Sequence, residues 1–312
     1  MRKYYFPSYG GTFIDCTFGQ GGYSKKILEN KKNKVIALDR DPNVAYHSSS
    51  FIKKYKNRFS FHNLKFSEIN KLKTKNLKGI IFDLGYSMNQ IKNLKMGLSF
   101  KSKGKLNMKM GLNNFSSHDV ISSMSKENLV KVFKFLGEEK FSKPIANRII
   151  KERKNKIINT EDLINIIESI KPNKNKKINK STQIFQSLRI YVNKEISELI
   201  NGLINAYNIL PTGGIIVVVS FHSIEDKITK FFFNNYSKNE NSSRYFPETN
   251  KNNIYFNLLN KKPIIPSKEE ISLNPPSRSS KLRYGIKIKH NCDFSELIKK
   301  FKYLIDIEDL KF

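Results

Sequence analysis

Short apolar runs alternate with amphipathic stretches over the first 110 residues. Four of these runs have the length and the β-branched or aromatic composition of strands, and they predict strands at residues 12–16, 34–38, 59–62 and 79–84. The last run, GIIFDLG, is apolar up to Asp83, which favours a buried central strand of a parallel sheet. Strands that alternate with helices predict an α/β domain.

Helical periods replace strands between His118 and Lys180. The segments KENLVKVFKFLGEEKFSKPIANRIIKER and TEDLINIIESI both place apolar residues at helical spacing, and Thr160 with the acids after it predicts a helix start. We therefore expect a helical insertion at residues 116–182 that divides an α/β domain into residues 1–115 and 183–312.

The chain after the insertion returns to the α/β pattern. Residues 181–210 predict one long amphipathic helix, and IIVVVS at residues 215–220 predicts a further strand. At the corner that follows, Ser223 with Asp226 is expected either to cap a helix or to bind substrate. No G-x-S-x-G turn accompanies Ser220 and His222, which argues against a hydrolase. Residues 237–272 are polar and predict irregular structure, and NPPSRSSKLRYGIKIK predicts a basic turn before a last strand.

The turn after the first strand is rich in glycine. Gly19, Gly21 and Gly22 precede a predicted helix, and Asp39 ends the second strand. Glycines let a ligand approach the backbone, the helix offers free N–H groups, and a carboxylate there can bind ribose hydroxyls. The spacing departs from G-x-G-x-x-G, so it favours the loop of S-adenosylmethionine enzymes over a dinucleotide site. The alternative is a plain tight turn with Asp39 as a helix cap.

The composition is typical of a soluble globular protein. The 312 residues are 38% hydrophobic and contain neither an apolar run of membrane-spanning length nor an apolar signal-peptide stretch. Cys16 and Cys292 lie far apart without metal-ligand spacing. We expect a cytoplasmic protein with reduced thiols, no membrane association and no metal.

The formal net charge is +30, from 57 Lys and Arg against 27 Asp and Glu. Such an excess predicts a polyanionic partner and favours nucleic acid. The alternative is an AT-rich genome, which inflates Lys and Asn in every protein. That bias would also supply Glu, so the uncompensated lysines favour contact with RNA or DNA.

Nine segments carry a resemblance to a known family, and they occur in the family's order. The chain resembles the ribosomal RNA small subunit methyltransferase H family, which transfers a methyl group from S-adenosylmethionine to N4 of a cytidine near the decoding centre of 16S rRNA. The resemblance implies a Rossmann-like S-adenosylmethionine-dependent methyltransferase domain with an inserted all-helical substrate-recognition domain. It also implies rRNA in an assembled or assembling 30S subunit as the partner. The segments are DCTFGQGGYS, ALDRDP, FDLGYSMNQ, GLSF, KLNMKM, FLGEEKFSKPIANRI, TQIFQSLRIYVNKEI, GGIIVVVSFHSIEDKI and NPPSRSSKLR.

The resemblance also assigns roles to individual positions. The cofactor-binding positions that it implies are Gly21, Gly22, Tyr23, Asp39, Phe66, Asp83 and Gln90. The chemistry of the amine adds a hypothesis: the DLGYS turn, with Asp83, Tyr86 and Ser87, holds the target amine while an aromatic ring stacks on the base, which makes Asp83 and Ser87 the expected catalytic residues. The RNA or substrate candidates are Asn107, Arg189, His222, Ser223 and Arg278, with Arg148, Arg153, Lys281 and Arg283 as further basic candidates.

Several positions depart from the family pattern. The N-terminal H-x-P-V-L-L helix is missing, Tyr23 replaces the commoner His, and Asn107 replaces an acid. The S-S-P-Q run reads SMNQ from Ser87, Lys109 and Gln183 replace arginines, and the DLGYS turn lacks the two prolines typical of DNA amine methyltransferases. Two alternatives therefore remain beside the rRNA enzyme: a methyltransferase with another target such as a DNA amine, and a non-catalytic RNA-binding or assembly factor.

Overall fold

Seven strands form one mixed sheet in the computed structural model of the protein, which describes residues 10–87, 90–91, 93–100, 102, 104–111, 114–172, 179–237 and 254–312. The strand order is β3-β2-β1-β4-β5-β7-β6. Strands β1 to β5 are parallel to one another, β7 runs antiparallel to β5, and β6 runs antiparallel to β7. The strands are β1 (Gly11–Asp15), β2 (Asn33–Asp39), β3 (Phe59–Asn63), β4 (Leu77–Asp83), β5 (Ile215–Ser220), β6 (Phe256–Asn257) and β7 (Lys281–Lys287). The α/β prediction and the first four predicted strands are confirmed, to within two residues at each end.

The rest of the described chain includes α-helices of 6 to 15 residues. They are α1 (Gly22–Leu28), α2 (Ala45–Tyr55), α3 (Ser117–Ser123), α4 (Lys126–Lys131), α5 (Ser142–Glu152), α6 (Thr160–Ile170), α7 (Thr182–Asn193), α8 (Glu195–Ile209), α9 (Ser223–Asn235), α10 (Lys268–Leu273) and α11 (Ser295–Glu308). The predicted start of a helix at Thr160 is confirmed, with Asn159 as its cap. Among the described residues, no helix combines the length and apolar character needed to cross a bilayer.

The chain folds into two compact units. The first consists of Met1–Gly85 and Glu198–Lys300, and the second of Tyr86–Ser197 and Phe301–Phe312. The second unit thus extends beyond the 116–182 insertion expected from periodicity. Long-range hydrogen bonds explain the difference: Asn193 Oδ1 accepts from the Met110 N–H at 2.8 Å, and Asn193 Nδ2 donates to the Met108 carbonyl at 2.9 Å. That this unit recognises substrate remains a prediction.

The core of the first unit lies against the parallel strands. Phe13, Ile81 and Val217 are buried side chains of neighbouring strands and belong to one apolar cluster. Every residue of β1 is buried, and so are five of the seven of β4. Both faces of the sheet are covered at these strands, which is why their sequences are continuous apolar runs typical of central strands.

The single helix predicted over residues 181–210 is wrong. Two helices, α7 and α8, meet at Lys194, which adopts a left-handed backbone conformation with φ 49°. Lys is an ordinary helix former, so the amphipathic period passes through it without a break. Contacts with the C-terminal residues of the same unit hold the bend: Lys194 Nζ pairs with Asp309 at 2.6 Å, and Glu308 accepts from the Ile196 N–H at 2.7 Å.

Two further expectations are corrected by the structure. The cap of α9 is His222, paired with Glu225 in a capping box, and Ser223 is the first residue of the helix. The polar segment at residues 237–272 is not wholly irregular, because β6 lies within it and α10 begins there; residues 238–253 lie outside the described residues. The sequence pattern also missed α11 altogether.

Candidate active site

The order of the parallel strands determines where a ligand can bind. In the order β3-β2-β1-β4-β5 the connections reverse direction between β1 and β4. Open α/β sheets bind ligands at such a switch point, outside the carboxyl ends of the strands. The glycine turn follows β1, and Asp83 ends β4. The fold of the first unit therefore brings both predicted elements to one crevice.

Two glycines of the turn have different roles. Gly21, at φ 77°, precedes α1, and a Cβ on it would lie 2.4 Å from Phe51 Cζ. No L-residue fits there without movement of the ring. Gly22, the first residue of α1, faces open space, since a Cβ on it would meet no heavy atom within 4 Å. Gly21 is thus needed for the fold, whereas Gly22 leaves room beside the helix N-terminus.

Asp39 connects the glycine turn to the end of β2. Its carboxylate accepts hydrogen bonds from the Gly19 N–H at 2.8 Å and from the Asp41 N–H at 2.9 Å. Burial raises the pKa of Asp39 to about 6 against these hydrogen bonds, which lower it. Each carboxylate oxygen has a second lone pair, so the group can also accept from a ribose hydroxyl. That role remains a prediction.

Phe66 is half-buried at the start of a 3₁₀ turn, Phe66–Lys71, that follows β3. Its ring packs edge-on against Phe82, with centroids 5.4 Å apart, and a Cβ on Gly202 would lie 2.5 Å from it. Asn205 anchors the turn by donating from Nδ2 to the Ser67 carbonyl at 2.6 Å. The ring is therefore held in place while part of it stays accessible, as an adenine-flanking role requires; that role is still a prediction.

Three carboxyl groups gather at the ends of β1, β4 and the β5–α9 corner. Asp15 is fully buried and accepts from the Ser24 hydroxyl at 2.6 Å, and burial raises its pKa. Burial, together with the charges of Asp15 and Glu225, raises the pKa of Asp83 to about 7. Asp83 Oδ1 is buried and accepts no hydrogen bond from any described residue. A buried oxygen of this kind calls for a donor, so the crevice suits a ligand with positive charge or N–H groups.

Two other predicted residues lie beside this acidic group. The Tyr23 hydroxyl stays protonated, because burial, Asp83 and Asp15 all raise its pKa. Across the crevice, His222 Nε2 lies 3.1 Å from Glu225 Oε1, and Glu225 accepts from the Phe221 N–H at 2.8 Å. The His222 side chain thus serves the start of α9; substrate contacts of His222 and of the exposed Ser223 remain predictions.

The remaining candidates of the DLGYS turn and of the KLNMKM segment belong to the second unit. Gln90 Oε1 accepts from the Ser87 N–H at 2.8 Å, and the Gln90 N–H donates to Ser87 Oγ at 3.3 Å. Met88 and Asn89 lie outside the described residues. Asn107 has a buried Oδ1 that no described residue hydrogen-bonds. Contacts of Ser87, Gln90 and Asn107 with cofactor or RNA remain predictions.

Most of the arginines proposed for RNA already have partners within the protein. Arg189 is only 6% exposed, and it binds Glu195 through two N–H groups at 2.8 and 2.9 Å. Its guanidinium lies 4.8 Å from the ring centroid of Tyr86, an aromatic residue 44% exposed. The guanidinium thus supports the Tyr86 ring, and RNA contact by Arg189 remains a prediction. Tyr86 belongs to the DLGYS turn that is expected to hold the target amine.

The other basic candidates divide by exposure. Arg153 donates to the carbonyls of Ile121 and Met124 at 3.0 and 2.8 Å, so it caps α3. Arg283 and Lys281 both bind Asp226 at 2.8 Å. Arg148 pairs with Glu152 at 2.8 Å but remains half-exposed, and Arg278 is exposed. RNA contact remains a prediction for all of them.

A doubly wound sheet whose functional groups meet at the switch point is the architecture of nucleotide-cofactor enzymes. The MraW methylase family matches residues 3–288 of the chain. The chain is 39% identical over 299 residues to the ribosomal RNA small subunit methyltransferase H of Bartonella quintana, covering 95% of this chain and 90% of that one. The protein of the same name from Rickettsia bellii is 41% identical, over 92% of this chain and 96% of its own length.

The chain belongs to the MraW methylase family, and it is an S-adenosylmethionine-dependent methyltransferase. A solved structure of an rRNA methylase from Streptococcus thermophilus aligns over 90% of this chain and 89% of that chain, at 9% identity with a TM-score of 0.36. This structural likeness is weak, and the family assignment rests on the sequence matches alone.

Proposed function

We propose that this protein transfers a methyl group from S-adenosylmethionine to N4 of a cytidine in small-subunit ribosomal RNA, near the decoding centre. The names of its relatives support an rRNA of the small subunit as the substrate. The net charge of +30 supports a nucleic acid. The reaction takes place in the cytoplasm, on an assembled or assembling 30S subunit. The buried, unpartnered oxygen of Asp83 is the observation that carries the chemical part of the proposal.

The residues of the crevice fit the cofactor. Gly22 leaves the space a ligand needs at the helix N-terminus, and the acidic groups around Asp83 complement a ligand that carries a sulfonium and an ammonium group. Gly21, Gly22 and Tyr23 would hold its methionine part, with Asp39 on the ribose and Phe66 beside the adenine. When bound, S-adenosylmethionine supplies a methyl group that is already activated for transfer.

The protein must make the exocyclic amine of cytosine a better nucleophile. The lone pair of N4 is delocalised into the ring, so an acceptor that draws on an N4 proton strengthens the attack. Asp83 Oδ1 can accept that hydrogen bond and then take up the proton as the N–C bond forms. With a pKa of about 7, Asp83 exchanges protons readily at neutral pH. Asp83 is thus the catalytic acceptor.

Tyr86 is the aromatic residue suited to stack on the target base. It lies three residues after Asp83, a separation of at most about 11 Å along the chain. The Arg189 guanidinium supports its ring, and Glu195 holds that guanidinium with two hydrogen bonds. An exposed, supported aromatic ring is suited to stack on a base splayed out of the RNA.

Labelled S-adenosylmethionine and small ribosomal subunits that lack the modification test the proposal. We expect one labelled cytidine in the rRNA, mapped by nuclease digestion and mass spectrometry. Asp83→Asn should lower transfer by about 10²–10⁴-fold when S-adenosylmethionine is saturating. Glu161→Gln, an exposed acid at the start of α6, is the matched control and should leave transfer unchanged.

Three results would contradict parts of the proposal. Full transfer by Asp83→Asn would remove Asp83 as the acceptor. Cofactor binding without transfer to any nucleic acid would favour a non-catalytic RNA-binding factor. Transfer to DNA and not to rRNA would favour an enzyme for a DNA amine.

A further inference from the structure

A basic groove lies at the edge of the first unit's sheet where the parallel strands begin, opposite the crevice described above. It encloses about 620 Å³ between β1, β2, β3 and the segment before β4. Among the residues that the structure describes, those that line it include no Asp or Glu. Its charged side chains are Lys34, Arg58, Lys73 and Lys75.

The chain segments that lead into these strands share the same charge. They read NKKNK at residues 30–34, KKYKNR at 53–58 and KLKTKNLK at 71–78, all without an acid. The acids of β1, β2 and β4 are found at the far ends of those strands. At about 3.3 Å per residue, Lys34 and Asp39 lie about 17 Å apart along β2. The two ends of the parallel strands therefore differ in charge: the end where the strands begin attracts anions, and the end where they finish attracts cations.

The groove is built by close packing rather than by chance proximity of lysines. A Cβ on Gly11 would lie 2.2 Å from Lys78 Cγ, so only glycine lets that lysine stem cross the start of β1. The Thr12 hydroxyl donates to the Lys75 carbonyl at 2.8 Å, and the Thr12 N–H donates to the Asn76 carbonyl at 2.9 Å. These contacts fix the segment that carries Lys73 and Lys75.

Arg58 completes the wall of the groove from the other side. Its guanidinium donates to the carbonyls of Leu28, Asn30 and Asn33 at 3.1 to 3.2 Å. It also lies 5.5 Å from the ring centroid of Tyr55. Arg58 is therefore committed to the end of α1. Lys34, Lys73 and Lys75 are exposed, so their ammonium groups are the ones available to an anion.

We propose that Lys34, Lys73 and Lys75, here called the lysine groove, bind the phosphodiester backbone of the RNA substrate at a distance from the target base. The identity of the anion as RNA rests on the proposed function. Ammonium groups bind phosphate as point charges without selecting bases, so the groove anchors and orients the RNA. An anchor remote from the chemistry changes the affinity for RNA and leaves the methyl-transfer step unchanged.

A triple variant tests the lysine groove against a matched control. Lys34→Gln, Lys73→Gln and Lys75→Gln together remove three charges; Lys230→Gln, Lys299→Gln and Lys300→Gln remove three from exposed positions of α9 and α11. Binding of an in vitro transcribed small-subunit rRNA is measured over a range of salt. We compare the slope of the logarithm of the RNA-binding constant against the logarithm of the salt concentration. The magnitude of this slope should decrease by about 2 to 3 for the groove variant and by less than about 1 for the control. Arginine at the same three positions should restore it.

The outcomes separate this inference from the proposed function. Equal slopes for groove variant and control overturn the lysine groove, whether or not the enzyme methylates rRNA. In steady-state transfer the groove variant should raise KM and keep kcat; a lower kcat with unchanged KM also overturns it. If the wild-type enzyme transfers no methyl group, but the groove variant and not the control changes the salt dependence of RNA binding, the RNA-binding role of the groove is supported and the proposed function is wrong. Binding to phosphatidylserine vesicles through these lysines, with an unchanged RNA slope, overturns RNA as the occupant.

Discussion

Asp83 ends a buried strand with one carboxylate oxygen that no described residue hydrogen-bonds. Burial, with the negative charges of Asp15 and Glu225 added to it, raises the pKa of this carboxyl above that of an ordinary aspartate. Such a group is costly to the fold and useful to a reaction that must hold an amine and take up its proton. At this scale the function depends on the environment of one side chain.

The pH dependence of methyl transfer follows from this environment. Asp83 accepts the N4 proton only when ionised, so the single-turnover rate should rise through about pH 7 and level off above it. The rate of Asp83→Asn should be low and nearly independent of pH over pH 5.5 to 8.5. A wild-type rate that is flat over this range, with the cofactor saturating, would argue against Asp83 as the acceptor.

The two adjacent glycines of the turn allow a matched comparison. Gly21→Ala places a Cβ 2.4 Å from the Phe51 ring at φ 77°, so we expect a loss of about 1 to 3 kcal/mol in the free energy of unfolding. Gly22→Ala meets no neighbour and should leave unfolding unchanged, yet it should weaken cofactor binding several-fold. Denaturant unfolding and calorimetric titration with S-adenosylmethionine measure the two effects. Unchanged cofactor affinity in Gly22→Ala would place the ligand elsewhere.

At the scale of elements, helix starts depend on capping groups, and some of these come from distant segments. Asn159 caps α6 and His222 caps α9 from the adjoining sequence. The start of α8 is different, because Glu308 of α11 accepts from the N–H groups of Ile196 and Ser197 at 2.7 and 2.8 Å. A cap more than 100 residues away cannot be read from local sequence.

Removing this distant cap should destabilise the second unit. Glu308→Ala leaves the buried Ile196 N–H, the partly buried Ser197 N–H and the Ser197 hydroxyl without an acceptor, and it should cost about 2 to 4 kcal/mol in the free energy of unfolding. Glu308→Gln keeps one acceptor oxygen and should cost clearly less. Urea unfolding monitored by circular dichroism compares the two. Equal losses would mean that the carboxylate charge matters more than the hydrogen bonds.

At the scale of the whole molecule, the charges are unevenly distributed. A chain of net charge +30 nevertheless contains acids whose pKa values burial raises. The pKa is raised for Asp15, and it is about 6 for Asp39, about 7 for Asp83 and about 8 for Glu308. The three lysines of the lysine groove, in contrast, are exposed. The net charge therefore favours binding of a polyanion, while the crevice itself stays acidic.

These raised pKa values predict how stability depends on pH. An acid with a folded pKa above its unfolded value stabilises the fold below about pH 4, and this contribution is lost as pH rises through the folded pKa. For Asp83 the loss occurs between about pH 4 and pH 7 and amounts to about 2 to 4 kcal/mol. Asp83→Asn should therefore gain thermal stability relative to wild type at pH 8 and not at pH 4.5. A difference in thermal stability between the two proteins that is the same at pH 4.5 and at pH 8 would refute the raised pKa of Asp83.

Local patterns predicted much of the fold and part of the site. The four strands before residue 85 and the start of α6 were evident because apolar spacing and capping residues act over a few positions. The break at Lys194 and the helix α11 were not, since an ordinary lysine and a charged amphipathic segment carry no local signal of what they contact. Arg189 looked like an RNA ligand for the same reason; its partners Glu195 and Tyr86 become visible only in three dimensions.

The sequence by itself determined the α/β class, the glycine turn between β1 and α1, the acid at the end of β4 and membership of a methyltransferase family. All of these depend on residues close together in the chain, or on the order of motifs along it. Tertiary structure alone decided which carboxylate oxygen lacks a partner among the described residues, which arginines are already bound, and that basic residues of three segments meet where the parallel strands begin. The physical reason is that burial and pairing depend on neighbours brought together by folding, whose identities local patterns do not encode.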